Sequence, residues 1–254
     1  MINITAHSDF SIHNLPFGIF STKGSAPRVG VAIGEHVLDL KAVVDLGFLN
    51  ISPEVVAQPS LNAFIALGKQ TTKTVRQVLQ QWLQQEDSLL YAHPNLFYLQ
   101  KEVKMHLPVE VGDYTDFYSS IEHATNVGSM FRDPNNALLP NWKHIPVGYH
   151  GRSSSIIVSE TPIHRPKGQK KPPTAEVPVF GNSNLLDFEL ETAFITFDAK
   201  PLGDSISTEE ADDYIFGMAL FNDWSARDIQ GWEYVPLGPF LGKNFASSLS
   251  PWIV

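Results

Sequence analysis

The sequence predicts an α+β protein, mainly β with some helix, in two modest domains. Three observations carry this: short apolar runs cut by Gly and Pro, one stretch with helical apolar spacing at 72–86, and a change of character after Pro108. A domain usually takes about 100–200 residues, so a 254-residue chain divides naturally there, into 1–108 and 109–254.

The elements follow in order. Arg28–Ile33 and His36–Leu40 are short apolar runs on either side of Gly34-Glu35, which predicts a tight hairpin. Between Thr72 and Glu86 the apolar residues are Val75, Val78, Leu79, Trp82 and Leu83. That i, i+3, i+4, i+7, i+8 spacing is an amphipathic helix with its Trp and Leu in the core. The first domain brings no ionisable groups together and reads as structural. After Pro108, Asp, Tyr, His, Arg and Trp become dense among short strands. Lys167–Pro178 is basic and Pro-rich with almost no apolar content, an expected exposed loop. In Leu185–Thr196 apolar and acidic residues alternate with period two, a strand pattern. The chain closes on the apolar run Ser250–Val254 with no polar tail, which leads us to expect a truncated chain.

Composition excludes several classes. Lys and Arg number 18 against 27 Asp and Glu, a formal charge of -9. That balance argues against nucleic-acid and anionic-membrane binding, which want a basic face. With no Cys, disulfides, thiolate nucleophiles and Cys-type metal centres fall away, so any metal site must use Asp, Glu, His or backbone oxygens. The N-terminus lacks a basic stretch followed by a long apolar core, and the run near Tyr214–Phe221 is far short of the roughly 20 residues of a membrane span. A soluble, cytoplasmic protein is the expectation. Gly238–Lys243 (GPFLGK) imitates a phosphate-binding loop but is one residue short, and Asn244 stands where Ser or Thr belongs.

The candidate chemistry centres on acids. On a continuous strand Asp187, Glu189 and Glu191 share a face about 6.6 Å apart. At an effective dielectric near 20, each neighbouring pair repels by roughly 2.5 kcal/mol. Alone, such a strand reads as a solvated face. Two further acids change the balance: Asp223 follows the apolar run ending at Phe221, and Asp116 sits among Tyr114, Phe117 and Tyr118, where a lone carboxylate is costly. One hard cation held by Asp116, Glu189, Glu191 and Asp223 accounts for all of them. Ser119 and Glu122 form a Ser-x-x-Glu capping box, predicting a helix start with His123 in its first turn. There the positive end of the helix favours the neutral imidazole that a general base needs.

Four segments now add up to a family. DYTDFYSSIEHATNVGSMFR (113–132), LPNWKHIPVGYHGRSSSIIVS (139–159), LLDFELETAF (185–194) and NDWSARDIQGWEYVPLGPFLGKNF (222–245) resemble the fumarylacetoacetate hydrolase family, in its fumarylacetoacetase branch. The likeness extends to NLPFGIFS (14–21) and covers essentially the whole chain. It implies a small N-terminal SH3-like barrel followed by part of a β-roll, in a homodimer. It also implies hydrolysis of the carbon–carbon bond of fumarylacetoacetate to fumarate and acetoacetate, the last step of tyrosine and phenylalanine breakdown.

Carried over residue by residue, the resemblance makes Asp116, Glu189, Glu191 and Asp223 the metal ligands, with Lys243 and Ser247 beside a second, Mg²⁺-type position. Ser247 stands where the family more often has Thr. Asp187 shares the acidic face without being a ligand. The cofactor would be Mg²⁺, Ca²⁺ or both. His123 becomes the general base, and Arg227, Gln230 and Lys243 stabilise developing negative charge. Tyr118, Arg132, Tyr149, Gln230 and Tyr234 contact a dicarboxylate diketo substrate. The family also continues past this chain's last residue, with further strands, a substrate-contacting Thr and a Glu paired with the base. Two other readings stay open at this stage: a related acylpyruvate hydrolase or decarboxylase, and a catalytically incomplete metal-binding fragment.

Overall fold

The structure, a computed structural model, describes residues 2, 4 and 7–254, excepting the side chains of Val127, Met130 and Phe131. It is α+β, as the sequence predicts, and divides into two compact units: residues 1–110 with 157–254, and residues 111–156.

The first unit begins with a curled sheet. Strands β1 (Phe17–Ser21), β2 (Arg28–Ile33) and β3 (His36–Asp39) form an antiparallel meander. The predicted hairpin is its β2–β3 corner, with Ile33 opposite His36 and Gly34 at φ 55°, a conformation glycine adopts without strain. It ends one residue early because Asp39 caps helix α1 (Leu40–Asp45), its carboxylate accepting from the Ala42 N–H at 3.1 Å. The same carboxylate pairs with Arg28 at 2.7 Å in a buried position. Helices α2 (Pro53–Val56), α3 (Asn62–Ile65) and α4 (Gly68–Gln84) follow. The predicted amphipathic helix is α4, which starts earlier and stops two residues short of Glu86, with Val75, Leu79 and Leu83 buried and Trp82 half-buried where the spacing predicts core.

Strand β4 (Phe97–Leu99) pairs with β3, and β5 (Lys104–His106) with the far end of β1. Strands β1 and β2 are buried along their whole length, on both faces. On one side Phe17 packs against Phe64, ring centroids 5.0 Å apart, while Phe20, Ala32, Val37 and Trp252 form a cluster capped by Phe10, Tyr98 and Met105.

The second unit holds β6 (Thr115–Tyr118), helix α5 (Ile121–Phe131) and β7 (Val147–His150), with β6 and β7 paired antiparallel. The helix start corrects the expected capping box by one residue. Ser120, not Ser119, is the cap: its hydroxyl accepts from the His123 N–H at 3.2 Å, and Glu122 sits too early to complete the reciprocal bond.

Strand β8 (Ile156–Val158) returns the chain to the first unit. Strands β9 (Lys167–Lys170) and β10 (Val179–Asn182) then form a hairpin, which corrects the expectation of a loop over 167–178. KGQK pairs through its backbone despite its polar side chains, and only 171–178 is loop. The predicted strand over 185–196 is also broken, into β11 (Leu186–Asp187) and β12 (Leu190–Thr196). Local bonds divert the intervening amides: the Phe188 N–H donates to Asp187 Oδ1 at 2.9 Å and the Glu189 N–H to Asn222 Oδ1 at 3.2 Å.

Strand β13 (Ile215–Asp223) is the longest, and it pairs with β12 and with β15 (Ser247–Leu249). Between β13 and β15, β14 (Ser225–Ala226) pairs with β11 and leads into helix α6 (Arg227–Glu233). Strand β16 (Trp252–Ile253) closes onto β1, with Gly18 opposite Trp252. A Cβ on Gly18 would lie 2.5 Å from the Pro251 carbonyl oxygen and 2.6 Å from the indole, so glycine is required at this crossing. Among the described residues, no helix is long and apolar enough to cross a membrane.

Candidate active site

The sheet brings the acids of the first unit together. Asp223 ends β13 directly opposite Ser247 on β15, and its side chain is 1% exposed. Glu191 lies opposite Phe221 on the neighbouring strand β12, and carboxylate oxygens of Glu191 and Asp223 come within 4.8 Å. Glu189 joins them through the chain, its carbonyl accepting from the Asp223 N–H at 3.1 Å. Ser247 Oγ donates to Asp223 Oδ1 at 3.5 Å. The acidic side chains Glu189 and Glu191 are half-buried, whereas Leu190 and Phe194 between and after them are exposed.

Two cations interleave with these carboxylates. Lys243 donates to Glu189 Oε2 and lies 3.1 Å from Asp223 Oδ2. Arg227, first residue of α6, donates through Nη2 to Glu189 Oε1 at 2.7 Å, through Nε to Asp187 Oδ2 at 3.0 Å and through Nη1 to Gln230 Oε1 at 3.0 Å. The repulsion expected along the acidic strand is thus offset by side chains of the protein itself. Partial burial pushes the Glu189 carboxyl up, but hydrogen bonds and charge from Lys243 and then Arg227 outweigh it, holding it below the ordinary glutamate value. Burial likewise pulls the Arg227 guanidinium down, and Glu189 and Asp187 reverse this to leave it raised.

A loop that sequence reasoning set aside positions Lys243. Glycine at 242 lets the backbone approach α6: its N–H donates to Glu233 Oε1 at 2.6 Å and its carbonyl accepts from the Ala226 N–H at 2.7 Å. A Cβ there would sit 2.8 Å from the Gln230 nitrogen. Helix α6 is anchored on its other side by Asp228, whose carboxylate accepts from Ser183 Oγ at 2.6 Å and the Asn184 N–H at 2.8 Å, with Lys170 at 3.6 Å. Sequence reasoning passed over Glu233, Gly242 and Asp228. The Gly238–Lys243 pattern was visible, but its packing partner was not. Tyr234 follows α6 one turn beyond Gln230 and is 61% exposed.

The second unit carries the other predicted residues. Asp116 faces Tyr149 across the β6–β7 pair, and both are half-buried. Tyr118 packs edge-on to the exposed His123 with ring centroids 5.1 Å apart. The Ser120 cap fixes the His123 main chain, as described above. Arg132 follows α5 and donates to the Ala137 carbonyl at 2.8 Å.

Within the first unit, Glu191 and Asp223 bring carboxylate oxygens within 4.8 Å of each other in a partly buried pair that suits a hard cation, while the Glu189 carboxylate is engaged by Arg227 and Lys243. Glu191 and Asp223 could hold such an ion, with Lys243 and Ser247 beside Asp223.

Residues 13–108 match the family model described as fumarylacetoacetase N-terminal, and residues 114–254 match that of the fumarylacetoacetate hydrolase C-terminal domain. The whole chain is similar to fumarylacetoacetase of Homo sapiens at 53% identity, of Caenorhabditis elegans at 52% and of Arabidopsis thaliana at 47%. The chain spans 62% of the human relative's length, 63% of the nematode's and 62% of the plant's. Among solved structures, a fumarylacetoacetate hydrolase from Exiguobacterium antarcticum superposes with a TM-score of 0.54 at 20% identity, covering 94% of this chain and 66% of that one. A maleylpyruvate hydrolase from a Sphingobium species, in complex with manganese(II) and pyruvate, superposes with a TM-score of 0.51 at 15% identity, covering 94% and 67%. These two likenesses concern the fold. Family models over both halves and close relatives along the full chain lead to one assignment: the chain belongs to the fumarylacetoacetate hydrolase family.

Proposed function

We propose that this chain carries the catalytic machinery for hydrolysing the carbon–carbon bond of fumarylacetoacetate, releasing fumarate and acetoacetate, as a step of tyrosine and phenylalanine catabolism. The observation that carries the reading is the alternating series Asp187, Arg227, Glu189, Lys243, Asp223. It joins acids and cations at the positions where the resemblance places metal ligands and charge-stabilising groups.

In this reading Asp116 joins Glu189, Glu191 and Asp223 as ligands of Mg²⁺ or Ca²⁺, with Lys243 and Ser247 at a second position. A bound divalent cation would polarise the carbonyl under attack. His123 takes a proton from the attacking water. Arg227, Gln230 and Lys243 stabilise the oxyanion that forms and the enolate that leaves, which picks up a proton to become acetoacetate. Arg132 pairs with a substrate carboxylate, to which its planar guanidinium can donate twice. Tyr118, Tyr149 and Tyr234 line the rest of the substrate.

The domain boundary proposed is 1–108 and 109–254, supported by family matches over 13–108 and 114–254. A cytoplasmic homodimer completes the reading. Support for the dimer comes from the outward face of β12 and β13, where Leu190, Phe194, Met218 and Leu220 are each 47–69% exposed.

The test is the rate of fumarylacetoacetate disappearance with Mg²⁺, with Ca²⁺ and with chelator. Metal-dependent turnover, lost in His123→Ala while metal binding persists, is expected. Absence of turnover with either ion overturns the hydrolase reading for this chain, and near-normal turnover in His123→Ala removes that residue from the base role.

A further inference from the structure

Three acceptors divide the Arg227 guanidinium among them. Glu189 takes Nη2 and Gln230 takes Nη1, while Asp187 takes Nε. Glu189 and Gln230 already have parts in the proposed reaction, and Asp187 has none. We propose that Asp187 is a positioning residue, holding the Nε edge of Arg227 so that its two Nη groups stay turned toward Glu189 and Gln230. The inference rests on the role given to Arg227 above.

The local build supports it. Strand β11 pairs with β14 so that Asp187 lies opposite Ser225, two residues before Arg227. The Arg227 N–H donates to the Leu185 carbonyl at 2.8 Å, so the backbones on either side of the ion pair are tied together. Asp187 Oδ1 accepts from the Phe188 N–H at 2.9 Å, which orients the carboxylate and leaves Oδ2 for Arg227. A guanidinium is planar and rigid, so fixing Nε and one Nη group sets the direction of the third nitrogen.

Asp187 is not placed to act as a stability element. Its side chain is 47% exposed and that of Arg227 30%, and an ion pair this open adds little to folding. What it supplies is geometry. Without it, Glu189 is the remaining charged partner of Arg227 among these bonds. The guanidinium is then drawn onto an oxygen that a divalent cation also needs.

The experiment compares Asp187→Ala and Asp187→Asn in the natural background and with Arg227→Ala, by steady-state kinetics and by Mn²⁺ binding calorimetry. Asp187→Ala should fold normally, lower kcat about ten-fold and weaken Mn²⁺ binding several-fold, as losses of orienting partners around metal sites do. KM should stay within about two-fold, because the group positioned acts on charge that develops in the transition state. Asp187→Asn should restore most of kcat, since its amide oxygen can still accept from Nε. In the Arg227→Ala background, Asp187→Ala should add nothing to either measurement. Equal losses in both backgrounds would assign the effect to the negative charge alone and overturn the proposal, as would an unchanged kcat and Mn²⁺ affinity. If the natural chain binds Mn²⁺ without turning over fumarylacetoacetate, the functional reading fails, and the binding cycle alone decides for or against Asp187. A chain that shows neither binding nor turnover overturns both.

Discussion

Gly242 touches Gln230 so closely that a Cβ at position 242 would lie 2.8 Å from the Gln230 nitrogen and 2.9 Å from its Cα. This contact brings two strands of the proposed mechanism together, because the residue after Gly242 is Lys243 and Gln230 bonds to Arg227. Gly242→Ala has backbone in its way, so the loop or the helix must move. The expected cost is about 1–3 kcal/mol, the usual range for overpacking a fitted contact. A lower urea midpoint together with weaker divalent-cation binding is the outcome expected. An unshifted midpoint would mean that the loop yields freely and that Gly242 does not hold Lys243 in place.

Lys243 stands between Glu189 and a nearly inaccessible Asp223. Replacing it by Met keeps the stem and removes the charge that both carboxylates share. Breaking a buried pair from one side costs about 3 kcal/mol or more. A divalent cation can replace part of the lost positive charge, so Mg²⁺ should raise the melting temperature of Lys243→Met by more than that of the natural chain. Thermal unfolding in chelator and in Mg²⁺ measures both quantities. Equal gains in the two proteins would show that the ion does not share its carboxylates with Lys243.

What could be read in advance depended on how local its cause is. The β2–β3 hairpin and helix α4 rest on spacing within a few residues, and both formed where the pattern placed them. The break at Phe188 and Glu189 could not be read, because an Asn222 side chain 33 residues away captures the Glu189 amide. Strand β9 escaped notice because KGQK carries no apolar alternation and gains its partner through backbone bonds to β10. The helix before His123 was foreseen, but choosing between adjacent serines turns on which hydroxyl reaches the His123 N–H. At the candidate site, acidic spacing pointed to Glu189 and Glu191 and the end of an apolar run to Asp223, while Arg227 and Lys243 came through resemblance alone. Asp228 left no trace, since Ser183 and Asn184 meet it from 45 and 44 residues away.

Ser120 caps α5 by accepting from the His123 N–H at 3.2 Å. Loss of such a cap costs about 1 kcal/mol. Ser120→Ala should therefore loosen the first turn of α5 and speed hydrogen exchange at His123, while Ser119→Ala leaves both unchanged. Amide exchange followed by NMR separates the two serines. A larger effect from Ser119→Ala would return the cap to the position first expected.

Acid should weaken the anchorage of α6. Burial pushes the Asp228 carboxyl up, but the Ser183 hydroxyl, the Asn184 N–H and Lys170 outweigh it and leave it below the ordinary aspartate value of 3.8. A depressed value means that the unfolded chain takes up the proton first as pH falls. The stabilisation is therefore complete above 3.8 and is lost as pH drops through the lower, folded value. Glu189 is shifted the same way and adds to the trend. Asp228→Asn removes one share of it, so the urea midpoint should fall less steeply in the variant than in the natural chain between about pH 5 and about pH 3. The comparison is between slopes, because the variant also loses the Lys170 pair and starts from a lower midpoint. Identical slopes would mean that Asp228 keeps its proton equilibrium on unfolding, and that Ser183 and Asn184 hold the helix without drawing on its charge.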